Sequence, residues 1–295
     1  MRKIAVTFTL LLLLILSAVA QGQTAPTLRI VTDDPTLPSE LFYGNTKVKP
    51  LRLRPGTNTR ITIDDSDFFV QQHYIDFLSR FPEASGFQAW MNFLANCPAG
   101  DANCLHENRI TTSQSFFGSQ EFQIKGGYVF RFYKSSLARM PQYDEMVGGM
   151  RSVTGTTSAD TEAKRTAFAA NWVLRGDFLT AFPRSLTPAQ FVDNIKTTAG
   201  LATLANRDQI VTDLTNAGNT DAARAVALRA IVESQEEVSK EFNPAFVYMQ
   251  YVGYLRRAPE AGGYQAWLNF LNANPTNFHE MVRGFMDSTE YRNRF

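Results

Sequence analysis

Residues 69–94 read F-V-Q-Q-H-Y-I-D-F-L-S-R-F-P-E-A-S-G-F-Q-A-W-M-N-F-L. They return as residues 246–271, F-V-Y-M-Q-Y-V-G-Y-L-R-R-A-P-E-A-G-G-Y-Q-A-W-L-N-F-L, identical at 15 of 26 positions with a constant offset of 177. A repeat this close restricts the chain to folds assembled from copies of one supersecondary unit. Each copy encodes two helices joined by a tight corner. Val70, Tyr74, Phe77, Leu78 and Phe81 form the apolar stripe of a 3.6-residue period, repeated as Val247, Tyr251, Tyr254, Leu255 and Ala258. Ser66 and Asn243 are expected at the N-caps, and Pro82 and Pro259 are expected to end this helix. After the corner, Phe87, Trp90, Met91 and Leu94 keep helical spacing, as do Tyr264, Trp267, Leu268 and Leu271. Trp90 and Trp267 are therefore expected in the core. Gly86 and Gly263, costly in a helix interior, predict a close approach at the corner.

A weaker third copy lies at an offset of 59, where Val129, Tyr133, Leu137, Arg139 and Pro141 match Val70, Tyr74, Leu78, Arg80 and Pro82, without the Trp. Three apolar helices are each followed by S-x-E, at Ser119/Glu121, Ser234/Glu236 and Ser288/Glu290, which indicates a unit of about fifty residues. The expected fold is all-α, with repeated helical pairs in a bundle or array. A first unit spans 63–126, degenerate middle units 127–242, and a last unit 243–295. Residues 21–62 differ in composition and read as an irregular extension with up to two short strands, at Leu28–Val31 and Leu51–Leu53.

Arg2-Lys3, an apolar and Thr run to Ala18, and the small-x-small site Ala18-Val19-Ala20 read as an export signal over residues 1–20. Membrane attachment would come only through that segment, if retained. Its removal leaves 27 Lys+Arg against 28 Asp+Glu, a balance that gives no electrostatic footprint for nucleic acid. The two cysteines, Cys97 and Cys104, fall in an eight-residue insertion that breaks the repeat, and in an exported chain they are expected to pair.

The run Y-x-x-x-L-x-R-x-P-x-x-x-G-x-x-x-W-x-x-x-L is carried by Tyr74, Leu78, Arg80, Pro82, Gly86, Trp90 and Leu94, and again by Tyr251, Leu255, Arg257, Pro259, Gly263, Trp267 and Leu271. With S-x-E-F downstream, it resembles the bacterial family known as domain of unknown function 4214. That resemblance implies an all-helical module similar to phycobilisome linker domains, found in exported and surface-associated proteins. The family has no assigned catalytic residues to carry over.

No nucleophile elbow, P-loop or dinucleotide glycine pattern occurs. His106-Glu107 and His279-Glu280 begin H-E-x-x-H, but Ile110 and Arg283 stand where the second ligand belongs, so neither a metal nor a cofactor is expected. Arg80 and Arg257 read as cations at a helix end that satisfy free carbonyls and the dipole rather than a ligand. The expected function is an exported, non-catalytic interaction or structural module with a protein or envelope partner. The alternative is an extracytoplasmic carboxylate-based hydrolase with its cleft between the two well-kept copies.

Overall fold

The computed structural model describes residues 52–54 and 56–295, together with the backbone of 26–30, 39–43 and 46–48. The expected leader lies outside the described residues. Two compact parts are separated at Leu51 and are described singly. In the first, β1 (Pro26–Ile30), β2 (Ser39–Tyr43) and β3 (Thr46–Val48) form an antiparallel sheet in that order, with Thr27 opposite Phe42 and Phe42 opposite Lys47. The strand expected near Leu28 is present and two others were missed. At the second expected site, Leu53 makes only a single bridge to Arg60.

The second part is all-α and consists of four units of four helices. Unit one is α1 (Ser66–Leu78), α2 (Ala84–Ala95), α3 (Ala102–Gly118) and α4 (Gln120–Phe122). A π-helical turn, Gln123–Gly127, opens unit two, which continues as α5 (Tyr128–Leu137), α6 (Tyr143–Val153), α7 (Ser158–Trp172) and α8 (Gly176–Ala181). Unit three is α9 (Pro188–Thr198), α10 (Arg207–Asn216), α11 (Asp221–Val232) and α12 (Gln235–Lys240). Unit four is α13 (Phe242–Gln250) with its π-helical extension Tyr251–Leu255, then α14 (Ala261–Ala273), α15 (Phe278–Met286) and α16 (Thr289–Arg292). The short fourth helices α4, α8 and α12 each lead into the next first helix. Ser119, Ser234 and Ser288 cap α4, α12 and α16 through the side-chain oxygen. The unit lacking S-x-E has Arg175 at the same place, where Arg175-Gly-Asp177 opens α8.

The first helices run side by side in the spatial order α1, α13, α5, α9, so the last unit sits between the first and second. Phe77 of α1 meets Tyr254 at 5.1 Å, and Phe130 of α5 meets Tyr248 of α13 at 5.2 Å between ring centroids. The third helices pair as α3 with α15 and α7 with α11. Since α1 is covered on nearly every side, Phe69, Val70, His73, Tyr74, Phe77 and Leu78 are all buried. Phe81 is not part of that stripe. It lies past the helix end and is 48% exposed.

The first helix does not run to its proline. Its end is a left-handed residue in every unit: Ser79 (φ 54), Ala138 (φ 51), Gly200 (φ 64) and Arg256 (φ 53). In units one and four the carbonyls of Tyr74 and Tyr251 accept from the left-handed residue and from the Arg after it, which turns the chain before Pro82 and Pro259 are reached. Only unit three uses glycine there. Ala138 is exposed, so Ala138→Gly removes the Cβ conflict without loss of packing. The expected net gain, after the larger backbone entropy of glycine is discounted, is about 0.5–1 kcal/mol by urea denaturation. A loss of stability would show that the αL residue is not strained.

The N-caps also shift. Asp65 and Glu241 hold the positions expected for Ser66 and Asn243, and neither side chain caps. The expected cysteine pair is joined, with Cα atoms 5.7 Å apart, and Asn108 Nδ2 donates to Cys97 Sγ at 3.1 Å.

Candidate functional site

The corner motif builds a charged clamp. Arg80 lies over the Tyr74 ring at 4.8 Å, its Nε and Nη2 donate to Glu121 at 2.7 and 2.8 Å, and its Nη1 donates to Glu83 at 2.5 Å and to the Phe81 carbonyl at 3.1 Å. Unit four repeats this with Arg257 over Tyr251 at 5.2 Å, forked to Glu290 at 2.7 and 3.0 Å and joined to Glu260 at 2.5 Å. In unit two Arg139 lies over Tyr133 and forks to Glu145, which occupies the place of Gly86 at the offset of 59. Arg80 and Arg257 therefore lock the corner onto the S-x-E helix, whereas Arg139 ties it to α6. This corrects the expectation that they serve the last helical carbonyls: the helix has already ended, and a planar guanidinium finds its best fit in a carboxylate.

The corner glycines are explained by the same clamp. A Cβ on Gly86 would stand 2.2 Å from Glu83 Oε1 and 2.4 Å from the Tyr74 hydroxyl, and on Gly263 the matching distances are 2.2 and 2.3 Å to Glu260 and Tyr251. The two tryptophans need correction. Of the motif residues, Tyr74, Leu78, Leu94, Tyr251 and Leu271 are buried, whereas Trp90, Trp267, Leu255, Pro82 and Pro259 are half-buried. Helices α2 and α14 are the outer layer, covered on one side only, and their Trp rings lie on Phe116 at 5.6 Å and Phe285 at 5.8 Å. Period identifies an apolar face but not its depth.

Beside the first clamp opens a polar groove of about 920 Å³. One wall is Arg80, Phe81 and Glu83 at the corner; the floor carries Gln120, Glu121 and Lys125; the far wall is Thr154–Ser158 and the first turns of α7. Lys125 is buried and lies 2.5 Å from Glu121. Burial works to raise the Glu121 carboxyl, but hydrogen bonds from Arg80 and Lys125 win and hold it below the usual carboxylate range. Glu83 is held low as well, against its own burial, by its backbone N–H and Arg80. Glu162, bonded to Arg229, is likewise lowered.

A second open feature is apolar. Helix α11 presents Val226, 67% exposed, as a ridge between two clefts of about 520 and 330 Å³. Ala169, Ala170 and Ala225 line the larger, and Leu214, Ala217 and Ala223 the smaller.

By contrast, the seam between the two well-kept copies is packed. The cleft there has a volume of about 30 Å³. The seam also holds a buried polar chain that no sequence pattern announces: His73 Nδ1 meets the Phe69 carbonyl at 2.9 Å, Nε2 meets Ser113 Oγ at 2.8 Å, and Ser113 bonds the Tyr254 hydroxyl. With Nδ1 protonated, Tyr254 donates to Ser113 and Ser113 to His73, which satisfies all three groups. Burial pushes His73 down to about 4, so the ring is neutral. The chain is closed to solvent and acts as a core hydrogen-bond network. Among the described residues no group of three His, Cys, Asp or Glu is placed to hold a metal, and no helix is long and apolar enough to cross a membrane.

No curated protein and no solved structure matches the chain. Residues 228–295 match the model of the family described as a domain of unknown function, DUF4214. The match takes in the end of α11, α12 and all of unit four, and with it the second clamp, Arg257–Glu260–Glu290. The likeness to this family is thus carried by the last unit, with α12 and the end of α11 before it.

Proposed function

We propose that the protein is an exported, non-catalytic helical interaction module that docks a partner protein on α11. The open apolar face around Val226 carries this reading. Two clefts flanking a single exposed ridge match the way one amphipathic helix seats its side chains in the grooves of another. Contiguous apolar surface of this kind marks interaction sites. The state of the carboxylates supports a non-catalytic role: those lining the polar groove are ion-paired and held low, whereas a general acid needs a raised value. The predicted leader supplies the argument for export.

The test is Val226→Glu, which alters an exposed side chain and is expected to leave Tm unchanged. Capture of a defined binding protein from the native envelope fraction should fall by about tenfold or more, since a charge is forced into an apolar contact. Equal capture by the variant would remove the α11 face from the proposal. Turnover abolished by a carboxylate substitution that preserves stability would replace it with an enzyme.

A further inference from the structure

We infer that the polar groove beside the first corner is a binding site for a neutral oligosaccharide, separate from the α11 face. Three observations lead to it. The first is charge. The groove lining holds Arg80, Lys125 and Arg165 against Glu83, Glu121 and Glu162, three of each sign, and each cation is already paired with a carboxylate. A phosphate or a nucleic acid would find no surplus of positive charge, and a basic peptide no surplus of negative. A ligand rich in hydroxyls can instead donate to the carboxylate oxygens and accept from the guanidinium and ammonium groups without disturbing the balance.

The second is the far wall. Thr154, Thr156, Thr157, Ser158 and Thr161 line it with hydroxyls; Thr154 already donates to the Met150 carbonyl and Thr156 to Asp160, so these two are left to accept, while Thr157 accepts from Asp160 N–H and is left to donate. That wall is set before any ligand arrives. Thr156 N–H donates to Asp160 at 2.8 Å, Asp160 N–H donates to Thr157 at 3.1 Å, and Lys164 Nζ donates to the Thr154 carbonyl at 2.9 Å. At Gly155 a Cβ would lie 2.3 Å from the Thr161 nitrogen, so only glycine lets the loop pack this tightly onto α7. A preformed wall lowers the ordering cost of binding. Arg165, 8% exposed, adds a buried Nε that has no partner.

The third is Phe81. A pyranose presents one face of C–H groups, and an exposed aromatic ring at the mouth of a polar groove gives that face a surface to stack on. The chain contains its own comparison. The clamps of units one and four have nearly the same geometry, yet the residue after the arginine is Phe81, 48% exposed, in the first and Ala258 in the last. The clamp alone thus needs no aromatic there, and the ring appears where the hydroxyl-rich loop faces it. The volume of about 920 Å³ lies within the range of small-ligand sites, about 300–1,000 Å³.

Titration calorimetry of the full chain with maltotriose, cellotriose, chitotriose and mannotriose, beside sialyllactose and inorganic phosphate, tests the site. At least one neutral trisaccharide should bind saturably. Phe81→Ala should weaken it by about tenfold, the size of a lost stacking contact, with little change in Tm because the side chain is 48% exposed and lies outside the buried core. Phe81→Trp should restore it, and Val226→Glu should bind as the parent does. Absence of binding by all four neutral sugars, binding of the anionic probes alone, or equal binding by Phe81→Ala would each overturn the inference. Since Val226→Glu reads a different surface, none of these results bears on protein docking.

Discussion

Glu237→Gln is expected to stabilise the protein at pH 8 by about 3 kcal/mol and to leave it nearly unchanged near pH 4. Glu237 is fully buried on α12, with Ser135 of α5 donating to Oε1 at 2.6 Å and Oε2 without a hydrogen bond. Lys240 stands 4.0 Å away, but it is engaged by Glu241, and Arg131 of α5 acts only at longer range. Burial therefore pushes the Glu237 carboxyl up to about 7 from its ordinary 4.5, a gap worth about 3 kcal/mol. The folded state binds the proton more tightly than the unfolded one. Its stabilisation is present below about pH 4.5 and is lost as pH rises towards 7. His73 has the opposite sign. With its value lowered to about 4 from 6.5, the unfolded chain binds the proton more tightly, so stability falls as pH drops from 6.5 to 4. Between pH 5 and 8 the two slopes nearly cancel in the parent. Glutamine keeps the Ser135 bond and removes the charge, leaving the His73 slope alone, a rise of about 2 kcal/mol from pH 5 to 8. Chemical denaturation at several pH values measures both. A variant less stable than the parent at pH 8 would mean that the carboxylate is well solvated or paired in the fold.

Gly253→Ala is expected to cost about 3 kcal/mol, the upper part of the range for an overpacked core. A Cβ on Gly253, in the π-helical extension of α13, would lie 2.0 Å from Phe77 Cε1 and 2.2 Å from Cδ1. Phe77 cannot retreat easily. It is 1% exposed, and Phe117 holds it at 4.4 Å and Tyr254 at 5.1 Å. The added methyl must therefore separate the first helices of units one and four. Phe77→Leu in the same chain removes the ring edge that collides, so the double variant should lose less than the sum of the two single changes. Additive losses in a double-mutant cycle would show that these two positions do not touch.

Much of this protein was fixed locally, and sequence periodicity reports local structure well. The helical stripe through Val70, Tyr74, Phe77 and Leu78, the second-helix face ending at Leu94, the close corner at Gly86 and the Cys97–Cys104 pair each join residues a few positions apart. The inward set Phe191, Val192 and Ile195 follows the same local spacing, behind the Thr187-Pro188 start of α9. The fourfold division was only partly legible, because Arg175-Gly-Asp177 does the positional work of S-x-E without its letters, and because left-handed Ser79, Ala138 and Arg256 carry no glycine to announce the turn. Only the folded chain decided the rest. Arg80 meets Glu121 41 residues on, Phe77 meets Gly253 across almost the whole body, and unit four lies between units one and two. A period states which face of a helix is apolar, and it is the neighbours on the other side that set how deep that face lies. That is why Trp90 and Trp267, on the same pattern as the buried Leu94 and Leu271, remain half open to water on the outer layer.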